Sequence, residues 1–212
     1  MADPAPAETN LLVILRHAQS EWNAAGLWQG QADPELSPEG RRQATAAGKV
    51  LSATFRFDHV VSSDLSRAVQ TAVAFREALG IDSPVEIDPG LREYDVGQWS
   101  GRTRAEIEQR WPGDIARFAR GELPAPPGGE TRAEFDSRVL DAAGRVGRSA
   151  SERGSLGLLV VAHGGVVRAL ARLAAVGEYR VGHVAGYRGR YAANGLMPED
   201  PVDLMDLELS VD

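Results

Sequence analysis

The chain has 212 residues, of which 43% are hydrophobic, and its 23 basic and 30 acidic side chains give a net charge of −7. This length suits one α/β domain with a small inserted lobe, and the acidic balance argues against a general nucleic-acid or membrane-surface binder. Cysteine is absent, which excludes disulfides, thiolate chemistry and cysteine-ligated metal.

The first ten residues, MADPAPAETN, have neither the basic nor the apolar region of a signal peptide. Their content of Ala and Pro predicts a short disordered tail, so a single domain is expected over residues 11–212. No apolar stretch approaches the length of a membrane span. These features favour a cytoplasmic protein with no membrane partner.

Four segments are predicted to form strands. They are Leu11–Leu15, Phe57–Ser62, Pro84–Ile87 and Leu156–Ala162. The first and last of these are continuously apolar, which is typical of central parallel strands covered on both faces.

Helix signals lie between the strands. Helices are predicted from Ser37-Pro38-Glu39 to about Ser52, from Ser63-Asp64 to Gly80, after the capping boxes Thr103–Glu106 and Thr131–Glu134, and from Gly165 to near Gly177. The alternation of strands and helices predicts a three-layer α/β/α fold with a doubly wound, mostly parallel sheet. The segment at about 103–131 is expected to form a small helical cap.

Two histidines follow the two apolar strands. His17 comes directly after Arg16 at the end of the first strand, and His163 precedes Gly164 and Gly165 after the last one. Ligands of open α/β sheets bind at the carboxyl ends of the strands. Two imidazoles, an arginine and a glycine pair at this edge indicate a phosphate site that uses histidine as its nucleophile.

The segment Arg16-His17-Ala18-Gln19-Ser20-Glu21-Trp22-Asn23 resembles the signature of the histidine phosphatase superfamily, which includes the cofactor-dependent phosphoglycerate mutases. The segments 62–68 and 91–101 and the triplet His163-Gly164-Gly165 also resemble that family, in the same order along the chain. The resemblance covers roughly residues 11–177, and four ordered matches make a specific signal.

The resemblance implies that His17 attacks phosphorus and forms a phosphohistidine. Arg16 and Arg67 are expected to bind the nonbridging phosphate oxygens, for which a planar guanidinium is better suited than an ammonium group. His163 is expected to donate to the same oxygens. These cations would replace the metal clamp of many phosphoryl-transfer enzymes, so neither a metal nor another cofactor is expected.

Glu93 is expected to protonate the leaving group and then to activate water. On the residues alone, a carboxylate paired with Arg92 is also credible, and Asp95 is the next carboxyl to consider. Asn23 and Gly164 are further expected phosphate ligands, although Asn23 reads equally well as a turn residue. Ser20 and Gln29 are weaker candidates.

Some features lie outside the pattern. Ala18 replaces the glycine that is commonest after the nucleophile, which would cause strain if that position needs a positive φ. His59 and His183 belong to no motif and are expected to be structural or exposed. The segment at about 178–212 shows no closing pair of strands, although Leu204–Val211 alternates and is predicted to form an edge strand.

The function that these features favour is a metal-independent phosphatase of a small phosphorylated metabolite, in the phosphatase branch of the superfamily. The motif ExxxGxWxG, formed by Glu93, Gly97, Trp99 and Gly101, resembles that branch, and the short chain also favours it. The alternatives are a phosphoglycerate mutase-type phosphoryl transfer and a non-enzymatic phosphoester-binding protein. The cap is expected to select the substrate, and a homodimer is left open.

Overall fold

The computed structural model describes residues 10–177 and 180–208. Six strands form one mixed sheet: β1 (Leu11–Arg16), β2 (His59–Ser62), β3 (Glu86–Ile87), β4 (Gly157–Ala162), β5 (Ala185–Ala192) and β6 (Gly195–Asp203). Their spatial order is β3-β2-β4-β1-β5-β6. The first four are parallel, and β5 and β6 are antiparallel to their neighbours. The two apolar strands β1 and β4 are therefore central neighbours, as predicted.

The helices cover both faces of the sheet. They are α1 (Glu21–Ala24), α2 (Pro38–Thr54), α3 (Ser66–Leu79), α4 (Arg104–Arg110), α5 (Asp114–Ala119), α6 (Arg132–Arg153), α7 (Gly164–Leu173) and α8 (Leu204–Glu208). Thr103 and Thr131 form the two predicted capping boxes at the starts of α4 and α6. The predicted cap segment contains the short helices α4 and α5.

Successive residues of β1 contribute to the two different core layers. Leu12 and Ile14 pack with residues of α4 to α7, while Val13 and Leu15 pack with residues of α2, α3 and α8. All four side chains are fully buried. The predicted three-layer α/β/α architecture is confirmed.

The C-terminal segment differs from its prediction, because residues 185–203 form the closing pair of strands, β5 and β6. Gly186 lets β5 approach β1 so closely that a Cβ there would lie 1.9 Å from the carbonyl oxygen of Ile14. Pro198 and Pro201 are tolerated because β6 is an edge strand. Glycine and proline are depleted in most strands, so a segment that contains them is not predicted as a hairpin from its sequence.

The predicted edge strand at Leu204–Val211 is also wrong. Residues 204–208 form α8, and Leu204 is buried in the core layer of α2 and α3. Residues 209–211 lie outside the described residues, as does the predicted disordered tail apart from Asn10.

Two helix boundaries differ from the sequence prediction. Helix α3 begins at Ser66 rather than at Ser63, and α7 ends at Leu173 rather than near Gly177. Ser63 does not cap α3, because its hydroxyl lies 2.9 Å from Nε2 of His163. A residue that looks like a helix cap in the sequence therefore belongs to the site.

Candidate active site

The two histidines meet at the carboxyl edge of the sheet. Residues 16 and 162 are paired in the β1–β4 ladder, so His17 and His163 leave adjacent strands side by side. Their ring centroids are 5.1 Å apart and the rings are inclined by 64°. Both side chains are buried, with His17 lining the cavity described below. The structure therefore brings together the pair that the sequence singled out.

The imidazole of His17 is oriented by its own backbone neighbour. Its Nδ1 lies 2.6 Å from the carbonyl oxygen of Ala18, so Nδ1 carries the proton and Nε2 carries the lone pair. Burial lowers the pKa of His17 well below its usual value, and the charges of His163, Arg67 and Arg16 lower it further. A neutral ring with a free Nε2 is the form that can attack phosphorus.

Arg67 lies against that nitrogen. Its Nε donates to Nε2 of His17 at 3.2 Å, and its terminal nitrogens donate to the carbonyl oxygens of Ala32 and Gly30 at 2.7 and 2.9 Å. The side chain is fully buried, and this burial lowers its pKa to about 10. Two backbone carbonyls thus fix a guanidinium beside the atom that would bond to phosphorus.

Arg16 precedes His17 and is bound by two residues of the C-terminal segment. Its Nη1 donates to the carbonyl oxygen of Val181 at 3.2 Å, and its Nη2 donates to Nε2 of His183 at 3.2 Å. Burial lowers the pKa of Arg16, and the charge of Glu93 opposes that shift. The guanidinium lines the cavity beside His17.

Only one of the two ring nitrogens of His163 has a hydrogen-bond partner among the described residues. The Ser63 hydroxyl, which also accepts the backbone N–H of Leu65, lies at 2.9 Å from Nε2. The buried Nδ1 has no hydrogen-bond partner within the described parts of the chain. If Ser63 donates to Nε2, Nδ1 carries the proton and needs an acceptor, which a phosphate oxygen would supply.

Glu93 reaches the site across the start of α7. Its Oε2 accepts the backbone N–H of Gly165 at 3.0 Å, and its Oε1 accepts that of Tyr94 at 2.8 Å. It is not paired with Arg92, which binds Asp64 at 2.6 Å instead. Gly165, rather than Gly164, lines the cavity, and Gly164 packs beside Arg16. The Glu93 carboxylate therefore lines the cavity, and it lies so close to residue 165 that only glycine fits there.

The other candidates from the first motif form a small hydrogen-bonded turn. Asn23 closes a capping box with Ser20, whose backbone N–H it accepts at 3.2 Å. The Ser20 hydroxyl donates to Oε1 of Gln29 at 2.7 Å. Asn23 and Gln29 both line the cavity, and Asn23 is thus a turn residue and a cavity residue together. Ser20 does not line the cavity, but its hydrogen bonds position Asn23 and Gln29.

His17, Arg16 and Arg67 line the floor of a cavity of about 580 Å³, and His163 is buried next to His17. Its walls are largely aromatic and aliphatic and include residues of the cap. They are Leu27, Trp28, Tyr94, Val96, Ile115, Phe118 and Phe135. A polar floor beneath apolar walls is the usual form of a small-molecule site.

Three contacts of this site were not predicted from the sequence. His183 is neither exposed nor remote, because it contacts Arg16 and its ring centroid lies 6.4 Å from that of His17. Ser63 and Gly165 contact the site through the bonds described above.

Ala18 shows no strain, since it is not among the described non-glycine residues with positive φ. His59 is structural, as expected, and lies 3.0 Å from a carboxylate oxygen of Glu86.

This fold and this site define the class of histidine-dependent phosphoryl-transfer proteins. The model of the histidine phosphatase superfamily (branch 1) matches residues 12–183, and the chain therefore belongs to this superfamily. The resemblance stated from the motifs is confirmed.

Relatives with two different activities are similar to the chain. A glucosyl-3-phosphoglycerate phosphatase of Mycolicibacterium vanbaalenii is 40% identical over 163 residues, which cover 75% of this chain and 71% of the relative. A 2,3-bisphosphoglycerate-dependent phosphoglycerate mutase of a Methylobacterium species (strain 4-46) is 40% identical over 163 residues, with coverage of 76% and 78%.

A solved structure agrees with the first of these relatives. A mycobacterial glucosyl-3-phosphoglycerate phosphatase complexed with VO3 has a TM-score of 0.76 and 34% identity, and the match covers 92% of this chain and 98% of that one. The expected class of enzyme, a phosphoric monoester hydrolase, is confirmed by the phosphatases among these relatives. No helix in residues 10–177 and 180–208 is long and apolar enough to cross a bilayer.

Proposed function

We propose that this protein is a metal-independent phosphatase that hydrolyses a small phosphorylated metabolite through a phosphohistidine on His17. The observation that carries this proposal is the tautomer of His17. With Nδ1–H bound to the carbonyl of Ala18, the Nε2 lone pair faces the buried cation Arg67. A phosphoryl group placed between them would meet a nucleophile and an oxygen-binding donor together.

The first half-reaction forms an N–P bond and breaks the ester O–P bond. Nε2 of His17 attacks phosphorus, and the leaving alkoxide takes a proton from the Glu93 carboxyl group. Arg16, Arg67 and Nδ1–H of His163 hold the nonbridging oxygens, with Asn23 as a further donor. Arg67 exchanges its bond to His17 for a bond to phosphate as phosphorus approaches.

The second half-reaction uses water. The Glu93 carboxylate takes a proton from water, the resulting oxygen attacks phosphorus, and the N–P bond breaks. Inorganic phosphate leaves, His17 is neutral again and Glu93 is protonated for the next turnover. Every proton is accounted for without a metal or another cofactor. The described residues contain no group of three His, Asp or Glu side chains that could hold a metal ion.

Phosphoglycerate mutase-type transfer is the second candidate, because relatives of equal identity carry that name. A mutase must keep water from its phosphoenzyme, and here the cap consists of two short helices of 7 and 6 residues above the cavity. This small cap favours hydrolysis. We further expect a cytoplasmic enzyme with no nucleic-acid or membrane partner, in keeping with its net charge of −7.

One assay separates these functions. Phosphorylated metabolites, beginning with glucosyl-3-phosphoglycerate, are screened for phosphate release with and without 2,3-bisphosphoglycerate. Phosphate release that needs no bisphosphate supports the phosphatase. Interconversion of 2- and 3-phosphoglycerate that needs it identifies a mutase. Binding without turnover of any ester identifies a non-enzymatic protein.

The intermediate is tested separately by brief exposure to labelled substrate. The wild type should retain acid-labile, base-stable label, and His17→Ala should retain none while circular dichroism shows an intact fold. His59→Gln removes a histidine at the opposite end of β2 and should label normally. Label on serine or aspartate, or turnover by His17→Ala, would exclude this mechanism.

A further inference from the structure

Two arginines other than Arg16 and Arg67 line the cavity without an ion pair to another described residue. Arg132 is the first residue of α6, and Arg168 lies in the second turn of α7. Both line the cavity that also contains His17 and Arg16. Within residues 10–177 and 180–208, no carboxylate lies within ion-pair distance of either guanidinium. The site thus carries more positive charge than a single phosphate requires.

The neighbouring acids do not neutralise this charge because they have other partners. Asp136 binds Arg172 at 2.6 Å, and Glu130 binds Arg138 at 2.6 Å. Glu134 accepts the backbone N–H at the start of its own helix at 2.8 Å. An unpaired cation on a cavity wall is a common feature of anion recognition.

Both arginines are positioned toward the substrate space. The guanidinium of Arg132 lies 5.7 Å from the ring of Phe118, so an aromatic residue of the cap supports it. Nη1 of Arg168 lies against Gly164, where a Cβ would be 3.0 Å from it. The charge of Arg168 also acts on Arg16. One cation therefore adjoins the phosphate end of the cavity, and the other adjoins the cap.

We propose that Arg132 and Arg168 form a second anion-binding subsite, which recognises a carboxylate on the same molecule whose phosphate reaches His17. This inference rests on the proposed function and narrows its substrate to phosphomonoesters of hydroxy acids. The planar fork of guanidinium fits a carboxylate with two parallel hydrogen bonds. An adjoining cavity of about 720 Å³ shares both arginines, so a larger substituent on the acid has room.

The test uses two probes that differ only in the proposed group. In 3-phosphoglycerate a carboxylate stands where glycerol 3-phosphate has a hydroxymethyl group. The wild type should have the higher kcat/KM for 3-phosphoglycerate. Arg132→Gln and Arg168→Gln should each lower that value about tenfold, mainly through KM, because each removes a charge-assisted bond. Their kcat/KM for glycerol 3-phosphate should decrease much less, because that probe has no carboxylate to lose a bond.

Arg148→Gln is the matched control. Arg148 is an exposed arginine on the same helix α6, sixteen positions after Arg132, and it does not line the cavity. The Arg148→Gln variant removes the same net charge and should leave kcat/KM unchanged for both probes. If Arg148→Gln lowers kcat/KM for 3-phosphoglycerate as much as the other two variants do, the decrease comes from long-range electrostatics, and the proposed subsite is wrong.

A binding measurement separates the two proposals. Calorimetry with the His17→Ala protein should show tighter binding of 3-phosphoglycerate than of glycerol 3-phosphate, and this preference should require Arg132 and Arg168. That result without phosphatase activity in the wild type would refute the proposed function and keep the subsite. Turnover of both probes with no preference in kcat/KM or in binding would refute the subsite and keep the phosphatase.

Discussion

Gly165 donates its backbone N–H to Oε2 of Glu93 at 3.0 Å, and a Cβ on this glycine would lie 2.0 Å from Oε1 of the same carboxylate. Helix α7 can approach Glu93 this closely because residue 165 has no side chain. The glycine therefore fixes the position of the group to which we assign proton transfer, and it does so from the helix that follows His163.

We expect Gly165→Ala to lower kcat while the protein stays folded. The methyl group must displace Glu93, and a displacement of about 1 Å in a catalytic group can cost on the order of 10²-fold. Alanine has the higher helix propensity by up to ~1 kcal/mol, so α7 itself should not be weakened. Steady-state kinetics and a urea unfolding curve measure the two effects.

Gly144→Ala supplies the comparison for this variant. Gly144 lies within α6, and a Cβ there would meet its nearest neighbour at 3.5 Å, an ordinary contact. This variant should keep full activity with equal or greater stability. Equal activity of Gly165→Ala and the wild type would show that the position of Glu93 does not limit the reaction.

The parts of the fold that the sequence predicts are those with a local cause. The apolar runs at β1 and β4 indicate strands buried on both faces, and Thr103 and Thr131 form reciprocal bonds within one helical turn. Such signals depend on neighbours a few positions away. The hairpin of β5 and β6 depends instead on close contact with β1, for example at Gly186, which the sequence does not display.

The same distinction holds within the site. His17 and His163 were found because each follows an apolar strand and lies in a family motif. His183 was not found, because its contact with Arg16 joins residues 167 positions apart. Ser63 lies where the sequence predicts the start of a helix, and nothing local shows that its hydroxyl contacts His163.

Activity should survive exhaustive chelation. Arg67 donates to Nε2 of His17, Arg16 lines the same cavity and His163 adjoins the His17 ring, so the transition-state charge has protein donors. Phosphate release after treatment with a chelator and gel filtration measures this. Activity that disappears and returns only with a divalent ion would favour a metal bound by the histidine pair.

Glu93→Gln should slow the formation of phosphoenzyme from alkyl phosphates on the order of 10²-fold or more, because their leaving groups need a proton. The loss should be smaller for p-nitrophenyl phosphate, whose leaving group departs as a stable anion. Water attack still needs the base, so the pre-steady-state burst with each substrate is the informative measurement. An equal decrease in both burst rates would exclude Glu93 as the acid and direct attention to Asp95.

His183 is expected to position Arg16 through a neutral ring. Burial, followed by the charge of Arg16, lowers the pKa of His183 to about 4, so at neutral pH its Nε2 accepts from the guanidinium. Val184, the next residue, has a φ of +50°, which is unfavourable for a β-branched side chain and is held by its burial. His183→Leu should lower kcat/KM about tenfold, and His183→Gln should restore most of it.

The low pKa of His183 also has a consequence for stability. As the pH falls from about 6.5 towards 4, the unfolded chain gains a proton at this position before the folded chain does, so the free energy of unfolding decreases. His183→Gln should reduce the proton uptake on unfolding in this range by up to about one proton. Some dependence persists in the variant, because the pKa values of His17 and His163 are lowered too. Urea unfolding at a series of pH values gives the slope for each protein, and identical slopes would show that His183 is protonated equally in the folded and unfolded chain.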